Sequence, residues 1–301
     1  MCGVFGILPA DPGTVPDEGT LDLSARALHH RGPDAQAVHA APGFGLAHTR
    51  LTFLDVDARA NQPMWDETRR YVLVYNGEIY NYRELRGELE QAGAHFRTTS
   101  DTEVLLQALI QWGPAAALPR LNGMFGFGFL DTRTRTLVLA RDRFGMKPMY
   151  YYRDAERFLF ASEVKAMRPW VALTPDKFSI ASYLLTFGGP TKGFTFYERL
   201  QSLAPGTYLT LEGDGPAEVS EYFRLSDFLD TETMSALDGA RPGEVVDRFD
   251  EALSESVARH MFADVPVGAF CSGGVDSSLL MAMAARQYDD LAIFHANVKG
   301  R

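Results

Sequence analysis

The sequence predicts an α+β protein with two stacked antiparallel sheets covered by helices, followed by the start of an α/β unit. Over the first two hundred residues, short apolar strands alternate with only a few helices, without the regular strand–helix rhythm of a parallel sheet. Near the other end of the chain, an apolar strand leads into a glycine-rich loop and then an apolar helix, which is typical of an α/β unit.

The strand candidates of the first part are short apolar runs. They are Gly3–Leu8, Gly45–Leu51, Tyr71–Tyr75, Met124–Leu130, Thr136–Ala140, Met149–Tyr152 and Phe158–Ala161. Between Phe125 and Phe129, phenylalanine and glycine alternate, which indicates a core strand whose glycines let another layer approach closely.

Helices are predicted over Leu21–His30, Tyr82–Gln91 and Asp101–Trp112. The last of these has an apolar stripe, formed by Val104, Leu105, Ala108, Leu109 and Trp112. Its start fits a capping box, with Ser100 as the N-cap and Glu103 as the third helical residue. The capping box leaves the side chain of Asp101 available for a ligand, for example a substrate ammonium.

The remaining chain is predicted as a connector and a second domain. A helix over 176–187 and a turn over Leu203–Leu209 come first, and residues 211–243 are rich in Gly, Asp, Glu and Pro with little periodicity. The elements that follow are a helix over Glu244–Met261, a strand over Val265–Cys271, a helix over Leu279–Tyr288 and a strand over Leu291–Ala296. We therefore expect domains at 1–210 and 244–301, joined by a connector over 211–243.

Composition favours a globular protein in a reducing compartment. The 301 residues carry a formal net charge of −10 and no long basic run, which argues against non-specific nucleic-acid binding. The two cysteines, Cys2 and Cys271, imply no disulfide framework. No apolar run approaches the roughly 20 residues that span a bilayer, and the N-terminus lacks a signal-peptide pattern. We expect a cytoplasmic protein without membrane or nucleic-acid partners.

Cys2 directly follows the initiator methionine. If Met1 is removed, one residue carries both a thiol and a free α-amine, with ordinary pKa values of about 8.5 and about 7.7–8.0. Proton transfer between the two groups is then nearly balanced, as in an N-terminal nucleophile that is activated by an adjacent base. The alternative is a small apolar residue at the start of a buried strand.

Polar clusters interrupt the apolar elements. Asn76-Gly77 after a strand is first of all a turn signal, but an amide beside a glycine N–H also supplies the two donors of an oxyanion hole. Arg50, at the end of an apolar strand, is either an edge charge or a bidentate clamp for a carboxylate. The segment His30–Asp34 is a tight polar turn with either a structural or a functional role. These alternatives stay open on the residues alone.

The segment Ser272–Ser278, Ser-Gly-Gly-Val-Asp-Ser-Ser, lies between a strand and the start of a helix. Backbone N–H groups and the helix dipole converge on such a loop, so it can bind an anion. It lacks the Gly-Lys-Ser/Thr of a Walker A loop. A plain helix N-cap with a glycine turn is the alternative.

Eight motifs follow one another along the first part of the chain, namely Met1–Gly6, Arg31–Asp34, His48–Leu51, Asn61–Met64, Tyr75–Tyr82, Ser100–Leu106, Leu121–Phe125 and Arg141–Tyr151. In this order they resemble the motifs of class II glutamine amidotransferases, and the closest subgroup is the glutamine-hydrolysing asparagine synthetases. This resemblance covers nearly the whole of residues 2–210. It implies an N-terminal nucleophile (αββα) glutaminase domain, with two antiparallel sheets between helical layers.

The resemblance also implies how the first domain acts on L-glutamine. Cys2 resembles the nucleophile that attacks the glutamine side-chain amide, and Asn76 and Gly77 resemble the oxyanion donors. The α-amine of Cys2 is the candidate base, acting through a water. No cofactor is expected at this site.

The other residues matching the glutamine site resemble groups that hold the two ends of the amino acid. Arg50, in the motif that also contains Leu51, is similar to the clamp for the glutamine α-carboxylate. Asp101 and Glu78 are similar to the groups that hold the α-ammonium.

The glycine loop resembles the pyrophosphate loop of ATP pyrophosphatases, so the second domain is expected to be Rossmann-like. The resemblance implies that Asp276 lies near Mg²⁺ and that five residues cradle the phosphates of ATP, namely Ser272, Gly273, Gly274, Ser277 and Ser278.

The implied function is that of an asparagine synthetase, in which ammonia from glutamine amidates L-aspartate activated by ATP and Mg²⁺. An amidotransferase with another carboxylate acceptor and a non-catalytic binding protein are the alternatives, and a homodimer is compatible with the resemblance. In full-length members of this family the second domain extends well beyond the equivalent of Arg301. We therefore expect either a fragment with glutaminase activity alone or a tail that docks on the first domain.

Overall fold

The computed structural model describes residues 1–188 and 193–295, and the chain divides into two compact units, Met1–Arg224 and Leu225–Arg301. The elements of the first unit, in chain order, are β1 Gly3–Pro9, α1 Glu18–Ala27, β2 Ala35–Ala41, β3 Phe44–Arg50, β4 Met64–Trp65, β5 Tyr71–Ile79, α2 Tyr82–Gln91, α3 Asp101–Trp112, α4 Pro114–Ala117, β6 Gly123–Asp131, β7 Thr136–Arg141, β8 Tyr150–Arg153, β9 Arg157–Ala161, α5 Lys177–Thr186, β10 Leu200–Ser202, β11 Thr207–Glu212 and β12 Ala217–Glu221. Those of the second unit are α6 Thr231–Asp238, α7 Pro242–His260, β13 Gly268–Phe270, α8 Val275–Ala285 and β14 Ala292–Phe294.

The strands of the first unit form two six-stranded sheets within the described residues. The first sheet has the order β10-β8-β9-β1-β3-β2 and the second the order β12-β11-β7-β6-β5-β4. The pairings recorded for both sheets are antiparallel. Strand β1 therefore lies in the interior of the first sheet, and β5 lies one strand from the edge of the second.

Side-chain alternation along β1 divides the apolar residues between two clusters. Val4 and Leu8 pack with residues of both sheets, including Val72 of β5, and so form the core between the sheets. Phe5 and Ile7 point to the other side and pack with α1. Helix α3 packs against β5 and β4 of the second sheet, and α2 packs against α3. The fold is the predicted helix–sheet–sheet–helix arrangement.

Glycines bring the two sheets together around one aromatic ring. Phe160 of β9 is fully buried, and a Cβ on Gly6 of β1 would lie 2.2 Å from its ring. A Cβ on Gly128 of β6, in the opposite sheet, would lie 2.6 Å from the same ring. The expectation that the glycines of the Phe–Gly run let another layer approach closely is thus confirmed at Gly128.

Three expectations for the first unit are wrong in detail. Asn76-Gly77 is not a turn, because β5 continues to Ile79 and pairs with β6 throughout. The edge strand β2 was not predicted, because its mixed small and polar residues give no clear apolar period. Helix α1 begins three residues before the predicted start, where Asp17 caps it by accepting the N–H of Thr20.

The predicted capping box of α3 is only half formed. Ser100 is the N-cap and accepts the N–H of Thr102. Glu103, however, accepts the backbone N–H groups of Arg97 and Thr98 instead of that of Ser100. Its carboxylate therefore orders the segment that precedes the helix rather than closing the box.

The second unit contains the predicted parallel strand pair, β13 and β14, with α8 between them in sequence. Ala296, the last residue of the predicted final strand, lies outside the described residues. Helix α7 packs through Leu253 and Val257 against α8. Val246 and Phe249, which were predicted on the same apolar face, are 62% and 58% exposed.

Candidate active site

A small pocket of about 40 Å³ lies beside Cys2 at the start of β1. It brings together residues that are distant in the sequence, namely Cys2, Arg50, Leu51, Phe53, Leu54, Gln62, Tyr75, Gly77, Glu78, Ser100, Asp101 and Thr102. Six of the seven residues predicted for the glutamine site line this pocket. The seventh, Asn76, lies between two of the lining residues on β5.

The thiol of Cys2 donates a weak hydrogen bond to the carbonyl oxygen of Leu51, at 3.7 Å. Burial raises the pKa of this thiol above its ordinary value, and the nearby N-terminal amine and Arg50 oppose the rise. The thiol is therefore protonated in the resting site, and a reaction at sulfur requires a base that removes its proton.

The backbone of Cys2 is held by a partly buried charge pair. Arg31 donates from Nε to the carbonyl oxygen of Cys2 at 2.9 Å and from a terminal nitrogen to Glu163 at 2.7 Å. Burial alone would raise the pKa of Glu163, but hydrogen bonds from Arg31, Lys165 and His30 outweigh burial and lower the pKa to about 2. Glu163 is thus a charged anchor for the start of β1, and its sequence position carried no signal of this role.

Asn76 is 1% exposed, and its side-chain Nδ2 has no hydrogen-bond partner among the described residues. Strand alternation places it on the same face as Val72 and Val74, which pack in the core between the sheets. Cys2 continues the alternation of Val4, which lies in that same core. A buried amide donor without an acceptor costs free energy, so its presence near the thiol points to an acceptor that arrives with a ligand.

The N–H of Gly77 points away from β6. On β6, Phe125 is opposite Gly77, and both backbone groups of Phe125 bond to Asp142 instead. Residues on β5 with the same orientation donate across the open edge of the strand, Tyr75 to Gln62 Oε1 at 2.6 Å and Ile79 to Asp101 Oδ2 at 3.0 Å. The N–H of Gly77 lies between these two donors, at the pocket. A Cβ on Gly77 would lie 2.2 Å from a carbonyl oxygen of β6, so no side chain fits here.

Two carboxyl groups, those of Asp101 and Glu78, line the pocket. Asp101 is 4% exposed and accepts the hydroxyl of Tyr75 at 2.8 Å in addition to the N–H of Ile79. Burial raises the pKa of Asp101, against these hydrogen bonds. Burial, together with the charge of Asp101, raises the pKa of Glu78 to about 7. A ligand cation at this position would favour the charged form of both groups.

Arg50 is buried and orders the loop that follows β3. Its two terminal nitrogens donate to the carbonyl oxygens of Leu54, Asp55 and Asp57 and to Asn61 Oδ1, at distances of 2.5–3.1 Å. Arg50 thus lines the pocket, but its terminal nitrogens are already engaged. A carboxylate can meet it through Nε, or by displacing one of these oxygen acceptors.

Two further residues near the pocket were missed by sequence reasoning. His48 of β3 is 1% exposed, and its Nε2 bonds to the carbonyl oxygen of Tyr75 at 3.0 Å. Burial lowers the pKa of His48 to about 4, so the ring is neutral and donates this bond between the two sheets. Gln62 accepts the N–H of Tyr75, as described above. Both lie in recognised motifs, but only the structure reveals that they fix the strand carrying Asn76 and Gly77.

The predicted ATP-binding residues lie together in the second unit, around the start of α8. The helix begins after Gly274 without a side-chain cap, and Gly273 has a φ of +80°. The hydroxyls of Ser272 and Ser277 lie 3.0 Å apart, and the loop is exposed. The uncapped N–H groups and the adjacent hydroxyls fit a phosphate group.

The carboxyl group of Asp276 lies in the first turn of the same helix. Within residues 1–188 and 193–295, no group of three or more His, Cys, Asp or Glu side chains could hold a metal ion. A magnesium ion at Asp276 would therefore depend on ligands from the nucleotide or from outside the described residues. Over the same residues, no helix is both long and apolar enough to cross a membrane.

Comparisons with known proteins match both parts of the chain. A family model described as glutamine amidotransferase domain matches residues 1–223, and a model described as asparagine synthase matches residues 248–301. The chain is 34% identical over 299 residues to glutamine-hydrolyzing asparagine synthetase 1 of Bacillus subtilis, covering 98% of this chain and 45% of that protein. It is 33% identical over 298 residues to glutamine-hydrolyzing asparagine synthetase B of Escherichia coli, covering 96% and 46%. The chain thus spans about half the length of these relatives.

Among solved structures, glutamine phosphoribosylpyrophosphate amidotransferase of B. subtilis, in complex with ADP and GMP, has a similar fold. The TM-score is 0.54 at 18% sequence identity, and the match covers 100% of this chain and 67% of that chain. The fold is thus that of the N-terminal nucleophile amidotransferases. Together with the family match over residues 1–223, this means that the chain belongs to the class II glutamine amidotransferases, and its sequence relatives there are glutamine-hydrolysing asparagine synthetases.

Proposed function

We propose that the first unit hydrolyses L-glutamine to L-glutamate and ammonia, with Cys2 as the nucleophile. The observation that carries the proposal is the buried, unpartnered Nδ2 of Asn76 beside the edge N–H of Gly77. Two donors without acceptors, next to a thiol, match the oxygen that becomes negative when sulfur attacks an amide.

The reaction begins once Met1 has been removed, so that the α-amine belongs to Cys2. In the chain with Met1, burial is the main cause that lowers the pKa of the N-terminal amine, which favours the neutral form that acts as a base. The amine takes the thiol proton as Sγ bonds to the amide carbon, and Asn76 and Gly77 stabilise the oxyanion. The proton then passes to the nitrogen, ammonia leaves, and a γ-glutamyl thioester remains. Water attacks the thioester, releasing glutamate and restoring the thiol.

The rest of the pocket orients glutamine. Its α-ammonium would lie between Glu78 and Asp101, and its α-carboxylate would approach Arg50, next to Leu51. Because Asp101 also accepts the N–H of Ile79, it positions β5 and the substrate together. This orientation would bring the side-chain amide of glutamine to the thiol.

The decisive experiment combines mass spectrometry with one substitution. The purified chain should lack Met1, and the diazoketone analogue of L-glutamine should alkylate Cys2. Asn76→Ala should lower kcat for glutamine hydrolysis by about 10²–10³-fold, since an oxyanion donor contributes that much. Asn81→Ala, outside the pocket, is the matched control and should retain activity. Retention of Met1, an unlabelled Cys2, or full activity of Asn76→Ala would contradict the proposal.

We further propose that the longer protein uses this ammonia to amidate L-aspartate to asparagine. The support is the similarity to glutamine-hydrolysing asparagine synthetases and the fit of the Ser272–Ser278 loop to a phosphate group. Bound ATP with Mg²⁺ would supply the adenylate that activates the acceptor carboxylate, with Ser272, Gly273, Gly274, Ser277 and Ser278 around its phosphates and Asp276 toward the metal ion.

The acceptor is tested on a full-length version of the protein. With glutamine, ATP and Mg²⁺, L-aspartate should give asparagine, AMP and pyrophosphate. AMP formation with another carboxylate, but not with aspartate, would assign a different acceptor to the same glutaminase.

A further inference from the structure

Lys147 is a buried lysine that the proposed reaction does not yet use. It follows β7 in a turn whose backbone is held by Asp142, which accepts N–H groups from Phe125, Phe144, Met146 and Lys147. Arg141 holds the carbonyl oxygen of Lys147 at 2.8 Å. The backbone of Lys147 is therefore rigidly placed, and its side chain is 6% exposed.

The side chain of Lys147 leaves this turn into the space between the sheets. Its Cβ lies 3.8 Å from the position that a Cβ on Gly126 would occupy, and Gly126 is paired with Asn76 across β5 and β6. The neighbouring Gly128 on the same face of β6 contacts Phe160 of the other sheet. Lys147 thus enters the layer that also contains Asn76 and the start of β1.

The ammonium makes no hydrogen bond or salt bridge with a described side chain, and the groups whose charges act on it are Glu78, Arg31, Asp142 and Cys2. Burial lowers the pKa of Lys147, and Glu78 is the strongest charge opposing that effect. The Cys2 thiol also interacts with this ammonium, as does the N-terminal amine, which in this structure belongs to Met1. The other charged or titratable groups that act on the amine, the thiol or Lys147 are Arg31, Arg50, Tyr75, Glu78, Asp101 and Asp142.

We propose that Lys147 is a positioning residue for the nucleophile, and that its fixed positive charge keeps the α-amine neutral and the thiolate accessible near neutral pH. This proposal rests on the proposed glutaminase function. A positive charge disfavours protonation of a nearby amine and favours ionisation of a nearby thiol, so one ammonium promotes both halves of the proton transfer. The negative charge of Glu78 offsets the effect of Lys147 on the amine and the thiol until the ammonium of a substrate binds to that carboxylate.

The test is the pH dependence of Cys2 alkylation by iodoacetamide, followed by mass spectrometry on chain that has lost Met1. This reaction reports the thiolate and needs no glutamine. Lys147→Met should raise the alkylation midpoint by about half to one pH unit, with rates that converge with wild type at high pH. Lys147→Arg, which keeps the charge, should restore the wild-type midpoint.

An unchanged midpoint in Lys147→Met, or a rate lowered equally at every pH, would overturn the proposal, because a purely structural role predicts one or the other. Lys147→Gln, a second neutral substitution, provides the measurement in case Lys147→Met does not fold. Its alkylation midpoint should rise in the same way, whereas a fall or no change contradicts the assignment. If the midpoints shift as expected but no ammonia is released from glutamine, the glutaminase proposal fails and the charge assignment stands.

Discussion

At Cys2, burial and charge act in opposite directions. Burial raises the pKa of the Cys2 thiol, and in the chain that carries Met1 it lowers the pKa of the N-terminal amine, so burial favours the neutral form of both groups. The proposed reaction would therefore start with a proton transfer from sulfur to nitrogen rather than from a preformed ion pair. His48 is a poor candidate for the base, since burial lowers its pKa to about 4 and its ring is already bonded to the carbonyl oxygen of Tyr75.

Glu78 should make glutamine binding depend on pH. Because its pKa is about 7 in the structure, it is a carboxylate only above that pH, and only the carboxylate attracts the substrate ammonium. In a Cys2→Ala background, which prevents turnover, the Kd for glutamine should be about tenfold weaker at pH 6 than at pH 8. Isothermal titration calorimetry at the two pH values measures the difference.

Two further variants in the Cys2→Ala background isolate this effect. Adding Glu78→Gln should weaken binding at pH 8 and abolish the pH dependence, although Asp101 is still present. Adding Glu84→Gln, at an exposed position on α2, should keep the dependence. Equal affinity at the two pH values before Glu78 is changed would show that Glu78 does not meet the ammonium.

At the scale of elements, the alternation of β5 decides which of its backbone N–H groups hold the sheet together and which face the pocket. By antiparallel alternation, its even-numbered residues exchange backbone hydrogen bonds with β6, while Tyr75, Gly77 and Ile79 direct their N–H groups to the open edge. Gln62 and Asp101 satisfy the outer two of these three donors. The short β4 ends the pairing on that edge at Leu73, which is why an edge donor is available next to the thiol.

Two glycine-to-alanine substitutions, one where β1 contacts β9 and one in α2, should have opposite effects on the free energy of unfolding. In Gly6→Ala, the new methyl group would collide with the buried ring of Phe160. On its other side, this ring lies against Gly128 of the opposite sheet. The free energy of unfolding should fall by about 1–3 kcal/mol or more. In Gly87→Ala, within α2, no atom lies within 4 Å of the new methyl group, and the protein should gain about 0.4–1 kcal/mol.

Denaturant unfolding of the two variants at one temperature compares these changes directly. A stability change of the same sign in both variants would show that the confinement of Phe160 does not control the packing of the sheets. The intact fold of each variant is checked by circular dichroism before the comparison.

At the scale of the whole molecule, the two proposed sites belong to different compact units. Every residue proposed to handle glutamine lies within Met1–Arg224, and the phosphate loop lies within Leu225–Arg301. Ser277→Ala should therefore leave kcat/KM for glutamine hydrolysis within about twofold, as for a surface substitution away from a site. Asn76→Ala, assayed in parallel, is the positive control. A tenfold loss in Ser277→Ala would reveal that the loop acts on the thiol site.

Sequence reasoning succeeded where local signals are strong. Helices α2 and α3 have the predicted bounds, and α3 combines an apolar stripe with a capped start. It failed where distant pairing overrides local preference. Asn76-Gly77 has the composition of a turn, yet β6 holds it in a strand, and Gly77 is glycine because a side chain would collide with β6.

The sequence by itself determined the family, the fold class and the residues that gather around Cys2, because these are carried by residue types in ordered motifs. Only the tertiary structure decided which of these groups lack a hydrogen-bond partner, which are already hydrogen-bonded and which are charged. Arg50 is occupied by its own loop, Asn76 retains a free donor, and Glu78 has a pKa of about 7. The physical reason is that hydrogen-bond partners and burial depend on contacts between residues far apart in the chain, which a local pattern does not contain.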